Sequence, residues 1–564
     1  MRHLITIYIL LLNFNLSYAE HVSDEKTVQK SLMGIVDKYY VGSDNACDFS
    51  TIQAAINAAS SSQNAVEIRV ADNKNYNENL FIFYNNILVD GNYSNCTEAR
   101  NDITGGNRAK LNGAAPANSS RILISGLFVY IKSMQLQGNN SGGIVASGTS
   151  VITLEDMLFF QLDAPGLSVS GNGQIDVRIK NSIFLLNTGN FGGALSCSGS
   201  NHSIEITEGS GFASNTATVT GGGVFLQGCD FSMTGGGFQN NSSAGDGGGL
   251  AAYNSNIILK NVTFDSNIAS SIGGAINIKS SNVNAEAMKF IDNEAGTFGG
   301  AISIDNGNRD IASFELKANS QSCENNIKCN YFDGNKAQKG GALALGIGSH
   351  GNGSIDISST FFENNRADLG TVIFAPAGTT KIEGSVFYHN GSHAANSFDD
   401  RSAVAIYGES EATIAYSTFA DNKVLFSTFK QDDDAVLGIF SSIIYDSDSG
   451  DVFEATGPDT TLDTHCLIVH EDQSFDTTNA MVTVADPMFI DPANGDYHIN
   501  PALSPAVDYC TDAQAMAQYK DIDFEGRGFD DPEVANNFTN AIYDIGADEA
   551  QGNLIFANGF ELAL

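Results

Sequence analysis

The 564 residues carry 28 Lys and Arg against 65 Asp and Glu, a formal charge of −37; 42% are hydrophobic, with 58 Gly and no Trp. Such acidity excludes a nucleic-acid partner, which needs clustered Lys and Arg to displace counterions. The apolar content excludes wholesale disorder, and the length calls for several domains or one long repetitive one.

Residues 1–19 read as a secretory signal peptide. Arg2 and His3 give a positive start and Leu4 to Leu12 an apolar run. Ser17-Tyr18-Ala19 predicts cleavage between Ala19 and Glu20. The run is too short to span a bilayer, which takes about 20 residues. No second long apolar stretch follows, so no transmembrane segment is expected in the mature chain. A lead segment fills 20–46. Thr51 to Ala59 is the one convincing helix, with Ile52, Ala55, Ile56 and Ala59 on one face. Laid over a first coil, it would cover strand edges that otherwise invite polymerisation.

From there a unit recurs: Phe-x-x-Asn, then Gly-Gly. Phe212, Phe238, Phe264 and Phe290 are spaced by 26 residues, as are Asn215, Asn241, Asn267 and Asn293, and Gly221, Gly247, Gly273 and Gly299. Between these markers apolar and polar residues alternate, as at Ile276-Asn277-Ile278-Lys279, which is the period of short strands with one buried face. Twenty-six residues hold three such strands and three turns. That is one coil of a parallel β-helix, and roughly fifteen coils stacked at about 4.8 Å fill the stretch to residue 445. The Phe rings would stack along the bore. The Asn amides would form a ladder at a turn that tolerates left-handed backbone. Gly-Gly would permit positive φ and close approach of coils.

The segments FDSNIASSIGGAINI (264–278) and FIDNEAGTFGGAISI (290–304) resemble the repeats of chlamydial polymorphic outer-membrane proteins. More broadly they resemble the right-handed parallel β-helices of the pectate-lyase-like superfamily. The resemblance implies the right-handed sense of the coil, and the entry segment flanked by Cys47 and Cys96 is similar to that of many bacterial β-helix proteins. Between Phe290 and Phe332 the step grows to 42, so an insert of 16 residues carrying Cys323 and Cys329 should protrude as a clipped loop.

The repeats fade after residue 445. Ser504-Pro505-Ala506-Val507-Asp508 and Asp544-Ile545-Gly546-Ala547-Asp548-Glu549 resemble the choice-of-anchor Q region that follows bacterial β-helix domains. That resemblance, over 446–550, implies surface display or secretion. Residues 551–564 look like a short tail of exported bacterial proteins.

Eight Cys in an exported chain point to disulfides. Cys323 and Cys329 are close enough for a local clip. Cys47–Cys96, Cys197–Cys229 and Cys466–Cys510 would join neighbours, although sequence leaves connectivity open. No CxxC or HxxxH spacing supports zinc.

The expected fold is therefore all-β: a single-stranded right-handed parallel β-helix over 47–445, with an N-terminal helical cap and an irregular C-terminal cap. No convergent catalytic constellation, cofactor site or metal site is read. Arg178-Ile179-Lys180, Ser349-His350-Gly351 and Asp399-Asp400 hold the residue types of pectin hydrolases, which need two carboxylates and groups that grip acidic sugars, but in the wrong order. Asp432-Asp433-Asp434, Asp446, Asp448 and Asp451 make weak Ca²⁺ binding a hypothesis, while a solvated surface is the plainer reading of such acids. The sequons Asn118, Asn139 and Asn261 read as turn composition. The expected role is that of an exported protein, secreted or held at the cell surface in association with the outer membrane. It is non-enzymatic and adhesin-like, meeting an extracellular protein or carbohydrate. The alternative is a polysaccharide lyase or glycoside hydrolase on the same scaffold, with a groove of Arg or Lys, acids and aromatics along one face. A structural spacer without ligand is the third.

Overall fold

A computed structural model describes residues 36–550 except 63, 84–85, 114–118, 127, 139–140, 306–311, 319–322, 324–327, 349–352, 393–397, 458, 472–480, 512–519 and 529–541. The signal segment with Ala19 and Glu20, the Ser349-His350-Gly351 loop, Asn118, Asn139 and the tail from 551 lie outside the described residues. Strand makes up 53% and helix 4%, so the class is all-β. The chain winds as a right-handed parallel β-solenoid of about 15 turns. It divides into two compact units, Met1–Ser270 and Ser271–Leu564.

In the first unit, the coil that starts at Asp230 shows how the sequence becomes a turn. Strands Asp230–Thr234 and Gly237–Gln239 lie in one large sheet, bent at Gly235 and Gly236, both with positive φ. Ser242–Ser243 forms a second, narrow face and Leu250–Tyr253 a third. The predicted three faces are present, with the largest built from two strands per coil. The next coil repeats them in register, Phe231 beside Ile257, Met233 beside Leu259 and Phe238 beside Phe264. Ile257 and Leu259 are buried while Asn256, Ile258 and Lys260 are exposed, so alternation sets which residues fill the bore.

Phe159, Phe184, Phe212, Phe238 and Phe264 form one stack with centroids 4.3–5.0 Å apart and rings within 19° of parallel. Beside it, Asn187, Asn215, Asn241 and Asn267 each donate Nδ2 to the next Oδ1 at 2.9–3.0 Å where the pair lies in this sequence. The left-handed residue is not the ladder Asn but the one before it: Leu186, Ser214, Asn240 and Ser266 all have φ between 51° and 58°. That kink aims the following amide inward, where it replaces backbone partners that a corner loses.

Helix Ile52–Ala59 caps this unit with Ile52, Ala55, Ile56 and Ala59 buried. Thr51 Oγ1 accepts from Ala54 N at 3.2 Å, and the Glu78 carboxylate accepts from Ile52 N and Gln53 N at 2.9 Å, so the first-turn N–H groups are satisfied. A second helix, Cys96–Arg100, with Asn95 accepting from Glu98 N at 2.8 Å, corrects the expectation of a single one. Five residues are too few to display a helical period. Strand Val36–Val41 pairs with Ala65–Ala71, so stacking begins within the lead segment.

The second unit repeats the scheme. Phe290, Phe332, Phe362, Phe387 and Phe419 stack at 4.1–5.0 Å. The ladder runs Asn293, Asn335, Asn365, Asn390, Asn422 and ends on Asp446, whose Oδ1 accepts from Asn422 Nδ2 at 2.9 Å. The insert between Phe290 and Phe332 leaves their pairing in register. Its sulfurs do not stand free but are buried with Ala287 and packed against Phe524. Parallel pairing continues past residue 445, through Thr461–Val469 and Val482–Val484.

The described residues of 485–550 do more than close an end: Tyr497, Ile522, Gly546 and Ala547 lie along the outside of the large sheet of this unit. Tyr497 and Ala547 join Phe361, Val386, Tyr388 and Ala420 in one buried cluster. The carbonyl of Ser441 accepts from Gly546 N at 2.9 Å and Thr418 Oγ1 from Ala547 N at 3.0 Å. Gly546 has φ +100°, and a Cβ there would lie 2.8 Å from Ile443 Cδ1, so both backbone and space demand glycine. Asp544 accepts from Asp508 N and Ala550 N at 2.7 Å, which ties the two C-terminal motifs together. Burial and the neighbouring Glu549 charge push the Asp544 carboxyl well above the ordinary range.

Candidate functional site

Within the second unit, strands Ile302–Asp305, Leu343–Leu345, Ile373–Ala375 and Ser402–Ile406 form the third face. Ser303, Ala344, Phe374 and Ala405 follow one another across it in register. The Gly-Gly corners pass close over this row: a Cβ on Gly340 would come 3.2 Å from Ala344 Cβ, and one on Gly299 2.1 Å from the Ile302 carbonyl oxygen. Small residues therefore belong in the row, and Phe374 is the exception. Its ring lies against Phe298 with centroids 5.9 Å apart and planes at 24°, and against Tyr407 at 5.7 Å and 49°. Lys339 Nζ sits 4.9 Å above the Phe374 ring.

Phe298, Lys339, Phe374, Pro376 and Glu409 line an open groove of about 480 Å³. That size falls within the range of small-ligand sites. Phe298 and Tyr407 are half-buried and Glu409 is exposed, so the groove opens to solvent. Burial, with Asp432 and Glu454 adding to it, pushes the Tyr407 hydroxyl up to about 12, so at neutral pH it remains an O–H donor. The groove thus offers the half-exposed Phe298 ring, an edge of Phe374 beneath Lys339, one cation and one carboxylate.

The first unit carries a related aromatic trio, with Phe225 one coil after Phe191 where Phe374 lies two coils after Phe298. Phe191 precedes Gly192-Gly193 as Phe298 precedes Gly299-Gly300. Phe225 takes the outward row, and Tyr253 follows in the next coil, two positions further along, just as Tyr407 follows Phe374. Phe191 and Phe225 are 5.3 Å apart, and Phe225 and Tyr253 5.4 Å. Phe191 is 46% exposed, a ring presented to solvent. Tyr253 Oη donates to Asp246 Oδ2 at 3.3 Å. Reading inward Phe residues alone passes over both trios; the visible signal is an FGGA segment whose Phe stands outside the Phe-x-x-Asn step.

Other residues singled out in the sequence take different places. Arg178 faces Glu205 at 3.3 Å and Lys180 faces Glu208 at 3.7 Å. Asp399 pairs with Arg401 at 2.7 Å and the buried Asp400 with Arg366 at 2.6 Å. These groups are engaged in ion pairs along the coils. Of the acids read for Ca²⁺, Asp433, Asp434, Asp448 and Asp451 are exposed and Asp432 is half-buried, whereas Asp446 is inside the bore. Disulfides join Cys47 to Cys96, Cys197 to Cys229, Cys323 to Cys329 and Cys466 to Cys510. Their number suits an oxidising environment. Two groupings that resemble metal sites, His465 with Cys466 and Cys510 and Asp44 with Cys47 and Cys96, contain these oxidised sulfurs rather than thiolates. Among the described residues, no helix is long and apolar enough to cross a membrane.

Comparison with known protein families finds none that matches this chain, and comparison with curated proteins finds no matching relative.

Proposed function

We propose that the protein is exported and acts outside the cell as a non-enzymatic adhesion or interaction protein, whose aromatic platforms take carbohydrate chains. One observation carries this reading: Phe298 and the largely buried Phe374 put rings into the wall of an open groove that also holds Lys339 and Glu409, and Tyr407 packs against Phe374 beside it. The C–H face of a sugar ring stacks on the electron-rich face of an aromatic side chain, while hydroxyls need a few placed polar groups. Export is supported by the signal-like segment ending at Ala19, by the four disulfides, and by the resemblance of 485–549 to the choice-of-anchor Q region. The parallel coil supports the likeness to pectate-lyase-like β-helices at the level of architecture, which by itself assigns no reaction.

The test is a glycan panel titrated with the full chain and with Phe298→Ala and Tyr407→Ala, both half-exposed positions. Each substitution is expected to weaken binding about tenfold, near the upper end of what one aromatic contact contributes. Unchanged affinity in both variants would remove the groove as the binding site. Release of unsaturated or reducing sugar ends during the same incubations would instead establish the lyase or hydrolase reading. Fractionation that leaves all the protein in the cytoplasm would contradict export.

A further inference from the structure

Away from the groove, the second unit gathers one histidine and several carboxylates in its C-terminal segment. Strands Phe489–Asp491 and Asp496–Ile499 form an antiparallel hairpin closed by the turn Pro492–Asn494. His498 lies on the second strand. Its Nδ1 is held by Asp496 Oδ1. Its Nε2 is shielded from solvent, 3.0 Å from Asp523 Oδ2 but outside hydrogen-bonding alignment with it. Asp548 completes the group, and one donor atom from each of His498, Asp523 and Asp548 lies within 4.8 Å of the others.

We propose that His498 Nε2, Asp523 and Asp548 form a binding site for one divalent transition-metal cation of the zinc class. The chemistry of the donors argues for it. One imidazole nitrogen with two carboxylates suits Zn²⁺ or Mn²⁺, whereas Ca²⁺ prefers an all-oxygen shell. Asp496 supplies the outer partner that metal-bound histidines characteristically have: by holding Nδ1 it orients the ring so that Nε2 faces Asp523 and Asp548, where a cation would take the place of the Nε2 proton. Both carboxylates are themselves positioned. Asp548 Oδ2 accepts from Ile499 N at 2.9 Å, next to the histidine it faces. Asp521 Oδ1 accepts from Asp523 N at 3.0 Å and from Glu525 N at 2.8 Å, which shapes the loop carrying Asp523. Three carboxylates around one imidazole leave surplus negative charge that a divalent ion offsets. The side chains of His498 and Asp523 are 25% and 31% exposed, which gives an ion a path and leaves room for water in the remaining positions. All eight cysteines are oxidised, so no thiolate competes for the metal.

The experiment strips the full chain with a chelator and titrates it with Zn²⁺, Mn²⁺ and Ca²⁺ separately, following heat and thermal unfolding. Co²⁺ absorption on the native chain serves as a direct report of nitrogen ligation. One saturable equivalent of Zn²⁺ with a raised melting temperature is expected, with Ca²⁺ at least tenfold weaker. His498→Gln and Asp523→Asn should each weaken Zn²⁺ binding at least tenfold. Asp434→Asn, an exposed acid elsewhere, should leave it unchanged. Absence of saturable Zn²⁺ uptake overturns the proposal. So does equal uptake by native and His498→Gln chains, which would make His498 only a cation clamped between Asp496 and Asp523. A Co²⁺ spectrum without nitrogen ligation decides against it even if a variant fails to fold.

Discussion

At the scale of single residues, the two glycines of each Gly-Gly pair are needed for different reasons. The first has φ between 62° and 71° at Gly192, Gly221, Gly247, Gly273, Gly299 and Gly340. The second faces a backbone wall: a Cβ on Gly300 would lie 2.1 Å from the Gly341 carbonyl oxygen. Backbone cannot yield as a flexible side chain can, so Gly300→Ala is expected to destabilise by about 1–3 kcal/mol or more, read as a lower urea midpoint. Gly209 is the contrast. It has φ +70° but open space around its Cβ position, so Gly209→Ala should cost only the left-handed strain, about 1–2 kcal/mol.

Asp446 is a second residue whose setting sequence could not reveal, because in the chain it reads as one more acid in an acidic run. It is fully buried at the end of the asparagine ladder, also accepting from Thr428 Oγ1 at 2.7 Å. Burial raises its carboxyl from 3.8 to about 6, although Thr428 and Asn422 pull the other way. The folded state therefore holds this proton more tightly than the unfolded chain. Its stabilising contribution is full below pH 3.8 and is lost as pH rises through 6, on the order of 3 kcal/mol in all. Asp446→Asn continues the ladder with a neutral amide. Relative to the native chain it should gain stability between pH 4 and pH 7, measured as the difference of unfolding free energies across that window. A flat difference would show that burial does not control this proton.

At the scale of elements, successive coils from Phe159 to Phe264 in the first unit and from Phe290 to Phe419 in the second are joined by a ring stack, with an amide ladder running beside it. Asn241 Oδ1 accepts from both Asn215 N and Asn215 Nδ2 at 3.0 Å, while its own Nδ2 donates to Phe212 O and Asn267 Oδ1. Asn241→Ala strands several buried polar groups, each at about 1–3 kcal/mol. Phe238→Ala instead opens a void between rings 4.8 and 4.5 Å away, for about 3–5 kcal/mol. Both should lower the denaturant midpoint, and restoring an amide of different length with Asn241→Gln should not rescue, since the ladder step is set by strand spacing. These two rows were legible in the chain because one residue type fills each at a constant interval. The left-handed corner before the ladder was not: Leu186, Ser214, Asn240 and Ser266 share a backbone conformation but no side-chain chemistry. The helix at Cys96–Arg100 was hidden for a related reason, its five residues being defined by the cap Asn95 and the disulfide rather than by a pattern.

At the scale of the whole molecule, the coil and its period follow from spacing alone, whereas the groove depends on which residues become neighbours after winding. Phe298 and Phe374 are separated in sequence by the 16-residue insert and two uneven coils, so no fixed interval brings them together on paper. What sequence does hold is a second trio, once the outward row is known: Phe191, Phe225 and Tyr253 in one unit parallel Phe298, Phe374 and Tyr407 in the other, although the first two rings are one coil apart in the first case and two in the second. If each trio is a complete platform, a short soluble oligosaccharide should titrate to two equivalents per chain. Phe298→Ala with Tyr407→Ala should leave one equivalent of unchanged affinity, Phe191→Ala alone should weaken only the other, and the combination should abolish saturable binding. Stoichiometry distinguishes this from a single groove with a decorative copy, because a lone site would give one equivalent in the native chain and lose it all with the second-unit variants. It also separates local platforms from binding along a continuous surface, for which a short ligand would show no integral number at all.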